Sequence, residues 1–281
     1  MYKKQLDEYL GNHGFKALNL KAVLFDMDGV LFDSMPRHAK SWAKVCRKFG
    51  LNITDEEPYM HEGRTGDGTI DIFAQRFWGR PATAEEKHKI YEEKCRLFNS
   101  YPEEAPQMPG AKELLEKVRA QGLKIIVVTG SGQESLLSRL EHGYHGFFKK
   151  ELVVSSHDTV NGKPSPEPYL KGLEKGGLKP NEAIVVENAP LGVKAGVAAG
   201  IFTVAVNTGP LPPEMLSEAG AGIVFPSMQA LADAWPLFKD RKSRTGSKNT
   251  RNFGKVQENF QRVSHARKIT RDFFENMCLV F

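Results

Sequence analysis

The chain has 281 residues, 40% hydrophobic, 26% charged and 10% aromatic, a composition that excludes disorder along its whole length. No run approaches eighteen apolar residues, which excludes a membrane-spanning helix. The formal charge of +5 is uneven: residues 239–281 carry 11 Lys/Arg against 4 Asp/Glu, so the main body is slightly acidic and the basic tail says nothing about its partners.

Residues 1–18 read as a short extra helix or a frayed terminus, with charges that have no apolar run behind them, unlike a secretory signal. The run Ala22-Val23-Leu24-Phe25 reads as a buried strand stopped by Asp26-Met27-Asp28-Gly29. Residues 36–107 are polar and helical in period, with no clear strand. A stretch that long is not a loop and reads as an inserted all-helical domain; Trp42 and Phe77 are expected in its core. Beyond it, helical segments alternate with apolar strands. Lys112–Gln121 is amphipathic and Ile125–Val128 a strand. Ser135–Leu140 is helical and Leu152–Ser155 a strand. Glu167–Lys175 is helical and Ile184–Val186 a strand. Leu191–Ala199 is a small-residue helix. Phe202–Val206 and Ile223–Phe225 complete the strands, and Trp235 anchors the end. Continuous apolar strands alternating with helices imply a parallel sheet covered on both faces. The expected fold is therefore α/β, a three-layer α/β/α Rossmann-like sheet formed by residues 19–35 and 108–238, with a helical cap inserted after the first strand. Residues 239–281 read as a basic, turn-rich tail. Cys46, Cys95 and Cys278 lie far apart; their sparse, odd number points to a reducing, cytoplasmic setting.

Open parallel sheets place their sites at the carboxyl ends of the strands. Asp26 and Asp28 follow the first strand there. Thr129, Gly130 and Ser131 follow the second, Lys163 lies in the loop after the third, and Glu187 and Asn188 follow the fourth. Carboxylates and an amide suit a hard divalent cation. A hydroxyl, backbone amides and an ammonium suit phosphoryl oxygens.

In this order the segments Leu24–Val30, Val127–Ser131, Lys163 and Val185–Asn188 resemble the haloacid dehalogenase-like (HAD) phosphatase superfamily. The resemblance spans residues 20–236. It implies Mg²⁺-dependent hydrolysis with Asp26 as nucleophile, forming an aspartyl-phosphate. Asp28 would protonate the leaving group and then take a proton from water. Thr129, Gly130, Ser131 and Lys163 would hold phosphate oxygens, and Lys163 would keep Asp26 ionised. Asp26, Asp28, Glu187 and Asn188 would surround the metal.

Asp33, Ser34, His38 and Trp42, with Pro166-Glu167-Pro168-Tyr169, resemble the β-phosphoglucomutase-like branch. Two departures matter. The last motif is Glu187-Asn188 where mutases usually have Glu-Asp, and the cap loop, residues 61–66, places Glu62 near where mutases hold a distal phosphate with a basic residue. If the closed cap brings Glu62 to the metal, it restores the charge lost at Asn188. With this pair the chain resembles bacterial HAD-type inorganic pyrophosphatases, which implies pyrophosphate as substrate, with Arg64 or Lys163 binding the leaving phosphate; Arg64 and His38 are the expected cap contacts. The alternative is a β-phosphoglucomutase-like mutase or a small sugar-phosphate phosphatase; a remote one is a non-catalytic nucleic-acid binder using the basic tail. The expected partner is a small phosphorylated substrate or pyrophosphate. A membrane or nucleic-acid partner is not expected, and oligomeric state is left open.

Overall fold

A computed structural model describes residues 2–101, 105–132 and 136–238, so the basic tail lies outside the described residues. Its centre is a six-stranded sheet of β1 (Ala22–Phe25), β2 (Lys124–Val128), β3 (Val153–Val154), β4 (Ala183–Glu187), β5 (Phe202–Val206) and β6 (Ile223–Phe225). The strands pair in parallel, in the order β3-β2-β1-β4-β5-β6. The chain works outward from β1 to β3 and then returns to β4 on β1's other side. That reversal opens a crevice at the carboxyl ends of β1 and β4.

Strand side chains alternate between two apolar layers, as a pleat requires. Val23, Phe25, Val127 and Val186 enter one core; Ala22, Leu24, Val128 and Val185 enter the other. Both faces are covered by helices α1 (Tyr2–Asn12), α6 (Ala111–Ala120), α7 (Leu136–Gly143), α8 (Glu167–Gly176), α9 (Pro190–Ala198), α10 (Pro213–Glu218) and α11 (Met228–Ala234), numbered in chain order with those of the insertion. Tyr9 of α1 is pinned by its hydroxyl, which donates to Gly200 O at 2.9 Å. Trp235 is buried at the end of the described chain, as expected.

Between β1 and α6 the chain makes α2 (Met35–Lys48), α3 (Glu57–Met60), α4 (Gly66–Trp78) and α5 (Ala84–Asn99). Their starts are encoded locally. Thr65 caps α4 by accepting from Gly68 N, and Thr83 and Glu86 form a reciprocal capping box on α5. The insertion has its own core of Val45, Leu51, Ile70, Phe73 and Ile90, against which Trp42 packs. Phe77 is not in that core; it is 37% exposed, beneath the Arg76 guanidinium. Among the described residues no helix is long and apolar enough to cross a membrane.

Candidate active site

The β1–β4 pairing puts Asp26 at the mouth of the crevice: its N–H donates to Val186 O at 3.0 Å, and its side chain is buried. It lines a cavity of about 70 Å³ with Asp28, Thr129, Gly130 and Ser131 from the sheet side and His38, Glu62, Arg64 and Lys94 from the insertion. Thr129 is fixed by its own N–H to Val154 O at 2.9 Å, and its hydroxyl accepts from Ser131 N at 3.1 Å. These residues come together as their strand-end positions predict.

Lys163 and Glu187 sit differently from the expectation. The Lys163 ammonium donates to Asp26, to Glu187 Oε1 at 2.6 Å and to Val128 O at 3.1 Å. Its three N–H groups are thus engaged behind Asp26, not aimed at a phosphate. Glu187 was expected at the metal. Instead Oε1 accepts from Lys163 and from Tyr169 OH at 2.7 Å, and Oε2 accepts from the N–H groups of Asn188 and Ala189. With both oxygens hydrogen-bonded, it anchors Lys163 behind Asp26. Burial alone would lower the Lys163 ammonium; the two carboxylates overcome it and hold the group well above its ordinary value. Burial drives Asp26 upward against the pull of Lys163.

Asp28 is crowded on a single oxygen. Oδ1 accepts from Ser34 Oγ at 2.5 Å, meets His38 Nε2 at 3.3 Å and faces Arg139 Nη2 at 3.7 Å. Burial opposes ionisation, but His38, Arg139 and Ser34 outweigh it and hold the carboxyl well below its usual range. His38 lines the cavity, and both its nitrogens face protein groups. Lys94, buried among Trp42, Tyr91 and Phe98, lies 2.9 Å from His38 Nδ1. An ammonium has only donors, so Nδ1 accepts and Nε2–H faces Asp28. The imidazole is therefore neutral, and burial followed by the Lys94 charge lowers its pKa to about 4.

That depression has a consequence for stability. Unfolded, His38 protonates near its ordinary 6.5; folded, near about 4. Between those values the unfolded chain binds more protons, so stability falls as pH drops. From pH 7 to pH 5 this group accounts for a loss of about 2 kcal/mol. Urea unfolding at both pH values checks it: His38→Gln should lose that part of the acid dependence, and an unchanged dependence refutes the assignment.

The cap loop is pressed onto the sheet. Glu62 Oε1 accepts from Asn188 Nδ2 at 2.7 Å, so the two departures noted in the sequence meet in space. Gly29 makes this possible: a Cβ there would fall 2.0 Å from Asn188 Nδ2 and 2.9 Å from Glu62 Oε1, and its φ of +80° suits only glycine. A Cβ on Gly130 would meet Gly63 O at 2.7 Å. Arg64 reaches the cavity with a buried Nε that has no partner among the described residues.

Asp26, Asp28, Glu62 and Asn188 supply only hard oxygen donors, and Asn188 Oδ1 is buried without a hydrogen-bond partner among the described residues. Burial pushes Glu62 well above its usual range, and the nearby Asp26, Glu187 and Asp28 add to this against the Asn188 bond. An orphaned oxygen amid surplus buried carboxylates fits a divalent cation such as Mg²⁺. The side chains are not drawn into a ready cluster: among the described residues no three His, Cys, Asp or Glu stand at metal-binding range.

Parallel sheet, strand-end aspartates and an inserted helical cap define a capped α/β hydrolase. The chain belongs to the haloacid dehalogenase-like hydrolases, whose family model matches residues 23–206. It is 30% identical to the phosphorylated carbohydrates phosphatase of Thermotoga maritima, over 72% of this chain and 92% of that protein. It is 32% identical to hexitol phosphatase A of Escherichia coli, over 68% and 84%. A solved structure from Bacteroides vulgatus, provisionally named a beta-phosphoglucomutase, superimposes with a TM-score of 0.81 at 54% identity, covering 84% of this chain and 95% of that one.

Three residues of the site escaped the sequence reading: Lys94, Arg139 and Tyr169. Tyr169 lies six residues after Lys163, inside a segment already singled out. Lys94 and Arg139 sit in helices with no local motif to mark them.

Proposed function

We propose that the chain is a phosphohydrolase in which Asp26 takes the phosphoryl group of a small phosphorylated substrate and passes it to water. What carries this reading is Asp26 itself: buried, lining the cavity, and paired from behind by a lysine that Glu187 holds in place. The Asp26 carboxylate attacks phosphorus, and the bond to the leaving oxygen breaks. Asp28 gives that oxygen a proton; the donors crowding Oδ1 keep it ionised in the unliganded site, so it takes that proton up as the substrate's negative charge enters beside it. It then takes a proton from the water that attacks the phosphoenzyme. The Thr129 hydroxyl, which accepts from Ser131 N and keeps its own proton to donate, binds a phosphate oxygen together with the Gly130 amide and the Ser131 side chain. Asp26, Asp28, Asn188 and Glu62 would hold Mg²⁺, which neutralises charge on the transferring phosphoryl group.

The relatives act, by their names, on phosphorylated carbohydrates and hexitol phosphate, which supports a sugar or polyol phosphate. A second reading, inorganic pyrophosphate, is favoured by one observation: the Glu62 carboxyl, which a bound cation would ionise, lies at Asn188 on the wall of a cavity of about 70 Å³. A carboxylate there repels a distal sugar phosphate unless a cation intervenes, and the space suits a short substrate.

The test is phosphate release with Mg²⁺ from glucose 6-phosphate, β-glucose 1-phosphate and pyrophosphate, by wild type and Glu62→Lys. The first reading expects a hexose phosphate to be preferred and to survive the substitution. The second expects pyrophosphate to be preferred by orders of magnitude and to fall about 10- to 100-fold in the variant. Release from none of the three removes both.

A further inference from the structure

Helix α7 joins the site to the two linkers that carry the insertion. Gln107 Nε2 donates to Gly143 O at 2.5 Å, and Gln107 bridges Phe32 across the linkers. A Cβ on Gly143 would come within 2.6 Å of the Phe32 ring. One turn earlier on α7, Arg139 directs its guanidinium at Asp28, Nη2 lying 3.7 Å from Oδ1, with the two side chains 15% and 14% exposed. The guanidinium lies near two rings: Phe32 of the linker at 5.4 Å and Phe98 of α5 at 5.3 Å. Among the described residues its Nη1 and Nη2 are buried and lack hydrogen-bond partners.

A buried cation with unused donors is costly. What offsets the cost here is the Asp28 charge and two aromatic faces, which a planar guanidinium can use and an ammonium uses less well. One of those faces belongs to the insertion. Phe98 also stacks on His38, with ring centroids 4.2 Å apart, and His38 meets the same Asp28 oxygen. The insertion thus presses on both groups that flank Asp28, one from α2 and one from α7. An arginine serving only to hold the fold together would be expected to spend its fork on acceptors; this one spends contact on two rings, and among the described residues its Nη1 and Nη2 bond no acceptor.

We propose that Arg139 is a positioning residue, fixing Asp28 Oδ1 for proton transfer when Phe98 of the insertion covers its guanidinium. This role rests on the reading of Asp28 as the group that gives the leaving oxygen its proton.

The experiment exploits leaving-group chemistry. Phenyl phosphate and p-nitrophenyl phosphate are alike in shape, but phenolate needs a proton on departure far more than p-nitrophenolate does. kcat/KM reports all steps through that departure. In Arg139→Met, kcat/KM for phenyl phosphate is expected to fall about 10- to 100-fold, and for p-nitrophenyl phosphate by less than about 3-fold. Arg139→Lys, which keeps the charge without the flat face, is expected to fall in between with the same bias. Phe98→Leu, which leaves the arginine in place, is expected to show that bias too and guards against a misfolded Met variant. Equal losses on both substrates, or none on either, overturn the positioning role while wild type and Asp26→Asn still differ. A wild type inactive on both esters, or an Asp26→Asn variant as active as wild type, overturns the phosphohydrolase reading and Arg139's role with it.

Discussion

Lys163→Met is expected to destabilise the protein by about 3–5 kcal/mol and to abolish phosphate release. The Lys163, Asp26 and Glu187 side chains are 1%, 5% and 1% exposed, so water cannot replace the missing ammonium. Two carboxylates are left buried without a cation, and Val128 O loses a donor. For a domain of this size the melting temperature should fall by roughly 10 °C. The pH dependence separates this from a simple packing defect. Without Lys163 the folded carboxylates have raised pKa values and bind protons that the unfolded chain releases, so the deficit should shrink as pH falls from 8 to 5. Calorimetric melts at the two pH values check it, and a pH-independent deficit would falsify the charge explanation.

Asp26→Asn is expected to lower phosphate release about 10³-fold or more, since an amide is no nucleophile. Its effect on stability should be small and is opposite in origin to that of Lys163→Met. Asparagine keeps the volume and hydrogen-bonding ability, Lys163 retains Glu187 as counter-charge, and an expensive buried anion is removed. Activity and melting temperature measured on one preparation decide the matter. Activity within about 10-fold of wild type would mean that Asp26 does not take the phosphoryl group.

Much of the fold was legible because each layer writes its own period. Ala22–Phe25, Phe202–Val206 and Ile223–Phe225 are strands over the residues read from the sequence, since a strand buried on both faces is a continuous apolar run bounded by polar turns. The long helical stretch after β1 was legible as an insertion for the converse reason, a helical period with no strand in it. Helices α10 and α11 were not foreseen: they are six and seven residues long, too short for a period to show. In the site, position along a strand was enough to find Asp26, Asp28, Thr129 and Asn188. It did not reveal what each group faces. Glu187 and Asn188 are neighbours in sequence, yet one binds Lys163 and the other Glu62, because successive residues at a strand end point opposite ways. Arg139 and Lys94 were invisible for a further reason: surface helices are full of such residues, and only the packing of the insertion against α7 makes these two buried cations.

The glycines under the cap loop also bear on timing. Gly63 O lies 2.7 Å from where a Cβ on Gly130 would stand, beside a half-open cavity of about 70 Å³. Where product leaves past this loop, the rate at which the loop lifts sets a ceiling on turnover that is separate from the bonds to phosphorus.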